Sequence, residues 1–284
     1  MGSDSVAGPP TAGPERTARS VSLPRGAQSD GVPVPVLAAV IFDVDGTLAD
    51  TERYGHRLAF NAAFAVHGVD ITWGVYEYGR LLKIAGGKRR IAADLRARGF
   101  GDAAEELAVE IHHTKTELFR DRIVAGDLLP RPGLLRLVRS LVDQGIRVAV
   151  ATTGRRAWVE PLLIQILGDG LVENVVTGDD VRRLKPDPEV YLRALDQLGV
   201  SPERALAVED SELGLHAAAA AGLATVVVTT DYTADQDFAG AAMVRSSFDG
   251  IDPLLAGSCR RVHREWWTAG KLSQTVDVRH LDPP

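Results

Sequence analysis

The chain has 284 residues, 45% of them hydrophobic and 25% charged, with a formal net charge of -6. That is room for a core domain plus a smaller one in an ordinary globular protein, and the negative balance excludes a generic nucleic-acid binder, whose phosphate contacts need clustered Lys and Arg. One cysteine, Cys259, excludes an internal disulfide and a Cys-based zinc site, and no apolar run approaches the length of a membrane span.

Residues 1–35 are rich in Gly, Pro, Ser, Thr and Arg and nearly free of large apolar side chains. Such a stretch cannot bury a core, so it is expected to be disordered. It has no apolar middle of a secretory signal, and Val6 stands where a myristoylation site needs Ser or Thr. Its Arg and Ser content loosely resembles a transit peptide, against which Asp4, Glu15 and Asp30 argue. A cytoplasmic location is expected, with plastid import left open.

The first strong element is Val36–Ile41, an apolar run with the length of a buried strand. It leads into Phe42-Asp43-Val44-Asp45-Gly46-Thr47. Two acids spaced two apart at a strand end repel each other unless a cation or a proton intervenes. From Asp50 to Pro130 the pattern is nearly all helical, interrupted by Gly86-Gly87 and the basic run Lys88-Arg89-Arg90. After Pro132 strands are predicted at 146–151, 175–177, 205–208 and 224–228, with helices between them. This alternation predicts an α/β fold, a doubly wound parallel sheet of Rossmann type, with an inserted all-helical cap. The expected divisions are a core of residues 36–50 and 131–256, a cap of 51–130, and an extension of 257–284. For that Arg- and Trp-rich extension a partner contact, packing on the core and disorder are left open.

The carboxyl ends of parallel strands converge on one edge, where such sheets bind ligands. That edge collects Asp43 and Asp45, then Thr152 and Thr153, then Glu209 and Asp210, with Lys185 from a neighbouring loop. Each alone has a bland explanation: turn acids, helix caps, a surface lysine. Together and in this order they suit phosphoryl transfer. Asp43 is the candidate nucleophile. Asp45 is the candidate general acid and base. The Asp43 and Asp210 carboxylates and the Asp45 backbone carbonyl, with Glu209 less firmly, are the candidate Mg2+ ligands. Thr152 and Lys185 would meet the phosphoryl oxygens.

Asp43-Val44-Asp45-Gly46-Thr47, Thr152, Lys185-Pro186 and Glu209-Asp210-Ser211 resemble the four motifs of the haloacid dehalogenase superfamily, in its phosphatase and phosphomutase branch. The resemblance covers about residues 36–250 and implies the same roles for Asp43, Asp45 and Asp210. Within that superfamily, Ala49-Asp50-Thr51-Glu52, His56, the stretch from Gly86 to Ile91 and the helix from Glu110 to Thr116 are similar to CbbY-type phosphatases. That implies removal of the 1-phosphate of xylulose 1,5-bisphosphate, a by-product that inhibits Rubisco, by a protein expected to be monomeric. A second phosphate needs a basic clamp, for which Gly86, Gly87, Lys88 and Arg90 are the candidates, supported by Tyr78 and Lys115. Glu52 and His56 would hydrogen-bond sugar hydroxyls. The competing readings are a β-phosphoglucomutase-like phosphomutase, a phosphoglycolate phosphatase and a non-catalytic phosphosugar-binding protein.

Overall fold

The structure, a computed structural model, describes residues 35–84 and 86–278. The expectation of disorder before Pro35 lies outside them. Six described strands form one parallel sheet in the order β3-β2-β1-β4-β5-β6. They are β1 (Ala39–Phe42), β2 (Arg147–Ala151), β3 (Asn174–Val176), β4 (Ala205–Glu209), β5 (Ala224–Val228) and β6 (Met243–Arg245). Phe42 is level with Val150 of β2 and Val208 of β4. The register therefore brings Asp43, the Ala151–Thr152 step and Glu209 to one edge.

Side chains alternate across the sheet, and the two faces are of different size. One presents Val40, Phe42, Val148, Val150, Leu206, Val208 and Val226 to α5 (Leu134–Asp143), α6 (Arg156–Leu167) and α9 (Ala256–Val278). The other is lined by Ala39, Ile41, Ala149, Ala151, Ala205 and Ala207. Its small side chains admit α7 (Glu189–Leu198) and the alanine-rich α8 (Glu212–Ala220). Central strands buried on both sides read as unbroken apolar runs, which is why they were legible in the sequence.

Between β1 and β2 the chain is helical: a π-helical turn (Glu52–His56), α1 (Arg57–Val66), α2 (Val75–Leu81), α3 (Gly87–Ala97) and α4 (Ala103–Val124). These helices bury their own cluster, centred on Phe60, Phe64, Trp73, Tyr78, Ile91, Leu95 and Ile111. Two elements were not predicted. β6 has only three residues, of which Val244 is half exposed. Helix α9 buries Ala256, Cys259 and Val262 against the larger-residue face, with Trp266 partly covered. Of the alternatives for the carboxyl-terminal stretch, packing on the core holds for this part of the helix. No described helix is long and apolar enough to cross a membrane.

Candidate active site

Asp43 follows β1 directly, and its N–H extends the ladder to Val208 O at 3.0 Å. Its carboxylate is buried beside Lys185, whose Nζ donates to Asp43 Oδ1 and Glu209 Oε1, both at 2.6 Å, and to Ala151 O at 3.0 Å. All three ammonium donors are thus used. Burial works against the Lys185 charge, but Asp43 and Glu209 outweigh it and raise its pKa. Burial pushes Asp43 up to about 7, with Lys185 pulling down and Glu209 and Asp45 pushing up.

Glu209 was expected among the metal ligands. Oε1 already accepts from Lys185 and from Tyr191 OH at 2.7 Å, while Oε2 takes the Asp210 N–H at 3.1 Å. Its local work is to hold Lys185. Asp210, by contrast, accepts no hydrogen bond among the described residues, and burial with Asp43 and Glu209 nearby raises its pKa well above its ordinary value, against the pull of Arg131 and Lys185. One ligand atom from each of Asp43, Glu209 and Asp210 can be chosen so that all lie within 4.8 Å of one another. Lys185, with Arg131 also acting on Asp210, does not offset burial at Asp43 and Asp210, and a hard oxygen-binding cation fits the excess.

Asp45 has a different environment. The Thr51 hydroxyl donates to its Oδ1, and His56 Nε2 lies 3.7 Å from the same oxygen. Burial raises the Asp45 pKa, but His56 and Thr51 outweigh it, and the carboxyl sits below its ordinary value. His56 stands on the π-helical turn with its ring against Phe119, centroids 3.9 Å apart. Its Nδ1 faces Lys115 Nζ at 2.7 Å. An ammonium can only donate, so Nδ1 accepts and the ring proton of the neutral imidazole belongs on Nε2, towards Asp45. Lys115 is buried, which lowers its pKa to about 8 despite the pull of Glu52 and Asp45.

Thr152 is buried, and its hydroxyl oxygen accepts from the Gly154 N–H at 3.0 Å, which leaves the O–H free to donate elsewhere. Thr153 is partly exposed on the same loop. Core residue Trp158 leans over Gly154, where a Cβ would fall 2.4 Å from the ring. The same ring meets His56 and Phe119 at centroid distances of 5.9 and 5.4 Å.

The expected clamp residues separate. Gly86, Gly87 and Lys88 line an open hollow of about 360 Å3 together with Arg89 and His112. Gly86 has φ +89°, and a Cβ on Gly87 would lie 2.9 Å from the His112 ring. No side chain caps α3, so its first N–H groups are available at the hollow. Arg90 turns inward instead: it is 7% exposed and donates to Leu81 O, Tyr78 OH and Ile84 O. Of the two expected supports, Tyr78 contacts the basic run through Arg90, and Lys115 lies against His56. Tyr78 OH donates to Glu52 Oε2 at 2.5 Å, and Lys115 serves His56. Reading the sequence assigned no role to Thr51, Trp158 or Tyr191, nor to Arg131, whose backbone partners leave no mark in a sequence.

A family model for haloacid dehalogenase-like hydrolases matches residues 37–222. The protein CbbY of Cereibacter sphaeroides is 44% identical over 77% of this chain and 96% of its own length. A CBBY-like protein of Arabidopsis thaliana is 40% identical over 84% of this chain and 76% of its own. The crystal structure of CbbY from Rhodobacter sphaeroides with xylulose-(1,5)bisphosphate superimposes with a TM-score of 0.66 at 42% identity, covering 77% of this chain and 98% of that one. β-Phosphoglucomutase from Clostridium difficile shares the fold at 21% identity and a TM-score of 0.61. With the family match spanning both ends of the acidic site, the chain belongs to the haloacid dehalogenase-like hydrolases, as a phosphatase.

Proposed function

We propose that the protein hydrolyses the phosphate ester of a small sugar bisphosphate, with xylulose 1,5-bisphosphate as the leading substrate. The observation that carries the substrate class is on α4. His112 borders the basic hollow and Lys115, three residues on, holds His56 beside Asp45. One helix thus borders the basic hollow and, a turn further on, backs the His56–Asp45 pair. The likeness to CbbY of Rhodobacter sphaeroides, crystallised with that bisphosphate, supports the same reading.

In the proposed mechanism, Asp43 attacks phosphorus and the bond to the sugar oxygen breaks, giving an aspartyl-phosphate. Asp45 gives its proton to the leaving oxygen, then takes one from the water that attacks the aspartyl-phosphate. Phosphate leaves and Asp43 is regenerated. Asp45 is ionised at rest, so its proton comes with substrate, when the ester's negative charge beside it favours the acid form. Lys185 and Thr152 hold phosphoryl oxygens, and Glu209 with Tyr191 fixes Lys185. Mg2+, held by Asp43, Asp210 and the Asp45 carbonyl, would neutralise charge on the transferring group. The hollow at Lys88 and His112 takes the second phosphate, and Glu52 contacts the sugar.

A panel of phosphate esters with and without Mg2+ tests this. Stoichiometric phosphate from xylulose 1,5-bisphosphate, abolished in Asp43→Asn, is expected. Isomerisation of glucose 1-phosphate without phosphate release would instead make the protein a mutase. Lys88→Ala is expected to raise KM for bisphosphates far more than for monophosphates. Equal effects on both would remove the second-phosphate site from the proposal.

A further inference from the structure

The chain returns from the helical insertion to the sheet through Pro130-Arg131-Pro132. Two fixed φ angles and a pre-proline residue make this linker stiff. Arg131 uses it as a platform. Its backbone N–H donates to Leu48 O at 2.9 Å. Its Nη1 donates to Gly46 O and to Val228 O, both at 2.6 Å. Its Nη2 donates to Thr229 O at 2.7 Å and Ser246 O at 3.2 Å. The guanidinium also lies over the Phe248 ring, 5.5 Å from its centroid. One side chain therefore joins the loop after β1, the end of β5 and the segment after β6. Its hydrogen-bond partners are backbone carbonyls, so the contact organises chain, while its charge also acts on the nearby Asp210 and Asp50 carboxylates. A planar fork of five donors can serve four acceptors at once, which an ammonium cannot.

Gly46 is where the grip bears on the site. Its N–H donates to Ala49 O at 2.9 Å. In a trans peptide the preceding carbonyl, that of Asp45, points the opposite way. The next carbonyl, Gly46 O, is held by Arg131. Between these two fixed peptides the Gly46 Cα lies against Asp210, so closely that a Cβ would fall 2.1 Å from Asp210 Oδ2. Fixing Gly46 thus fixes the spacing between the Asp45 carbonyl and the Asp210 carboxylate.

We infer that Arg131 is the positioning residue of the metal-binding loop, locking Gly46, the Asp45 carbonyl and Asp210 to the linker that carries the insertion. The inference rests on the proposed Mg2+ site. It predicts that cation binding and the stiff linker are coupled through one guanidinium.

Calorimetric titration of the substrate-free, full-length protein with Mg2+ tests it, using Arg131→Lys and Arg131→Ala beside the wild type. Both variants are expected to bind Mg2+ about ten-fold more weakly, the scale of losing a residue that orients metal ligands. Added guanidinium ion should restore part of the affinity of Arg131→Ala, and kcat should fall while substrate KM stays within about two-fold. A role confined to general stability would lower the melting temperature and leave Mg2+ affinity as in the wild type. That result in Arg131→Lys, which keeps the charge and the linker if the alanine variant unfolds, overturns the inference alone. A wild type that binds no Mg2+ overturns the metal site and the inference together.

Discussion

Gly46 meets two demands at once. Its φ of +79° is costly for any side chain, and a methyl group there would enter the Asp210 carboxylate. Gly46→Ala is therefore expected to cost about 1–3 kcal/mol from backbone strain and to abolish Mg2+-dependent phosphatase activity. Full activity in the purified variant would mean that Asp210 is free to move away. Asp43 makes a second prediction. With its pKa raised to about 7, the folded protein without metal binds more protons than the unfolded chain between the ordinary value and 7. Stability from this group is present at low pH and is lost as pH rises through 7. A cation reverses that penalty only where Asp43 is ionised. The Mg2+-induced rise in melting temperature should thus be small at pH 5 and large at pH 8. An increment constant across that range would contradict the buried acid cluster as the binding site.

Among the elements, α9 and the strands differ in how visible they are. The strands announce themselves because Val40, Val148, Val208 and Val226 sit in unbroken apolar runs, and the polar residues that end them carry the chemistry. In α9 the buried Cys259 and Val262 alternate with exposed Arg260 and Arg261, and so do not stand out. The helix is nonetheless part of the core, and His263 ties it down through Nε2 to Glu203 O at 2.9 Å. Val262→Ala should destabilise by about 2 kcal/mol, read from urea unfolding. A change below roughly 0.5 kcal/mol would mean the helix contributes little beyond its local contact. The same logic explains the site contacts that went unseen. Lys115 meets His56 across 59 positions of sequence, and Arg131 bonds Gly46 across 85. A lysine on a helix and an arginine between prolines have no local signature of such partners. Arg90 is the opposite case: it stands in a visible basic run, and what the sequence does not display is the inward turn that brings it to Tyr78.

Over the whole molecule, the helical insertion joins the sheet's own core through Ala59, Phe119 and Ile123, and further contacts flank that seam. From the sheet side, Tyr232 in the segment after β5 packs against the insertion's own cluster, with its ring 5.9 Å from that of Tyr78 and closely under Gly79. Asp231 beside it pairs with Arg53 of the π-helical turn. Trp158 makes the corresponding contact at His56 and Phe119. These contacts join the insertion to the sheet in the arrangement in which His56 faces Asp45. Tyr232→Ala removes about 1 kcal/mol of aromatic contact, so KM should rise roughly five-fold with kcat little changed. An unchanged KM would assign the ring to packing alone.

Helix α4 crosses the insertion as a single rigid piece of 22 residues. Along it, His112 borders the proposed second-phosphate hollow and the buried Lys115 backs the His56–Asp45 pair. A rigid rod that carries both residues works as a ruler. It fixes how far apart two anionic groups must be for one molecule to satisfy both, whatever lies between them. Selection among sugar phosphates then becomes a measurement of length as well as of charge. Inserting one residue between the marks would rotate them apart by about 100° without altering either side chain.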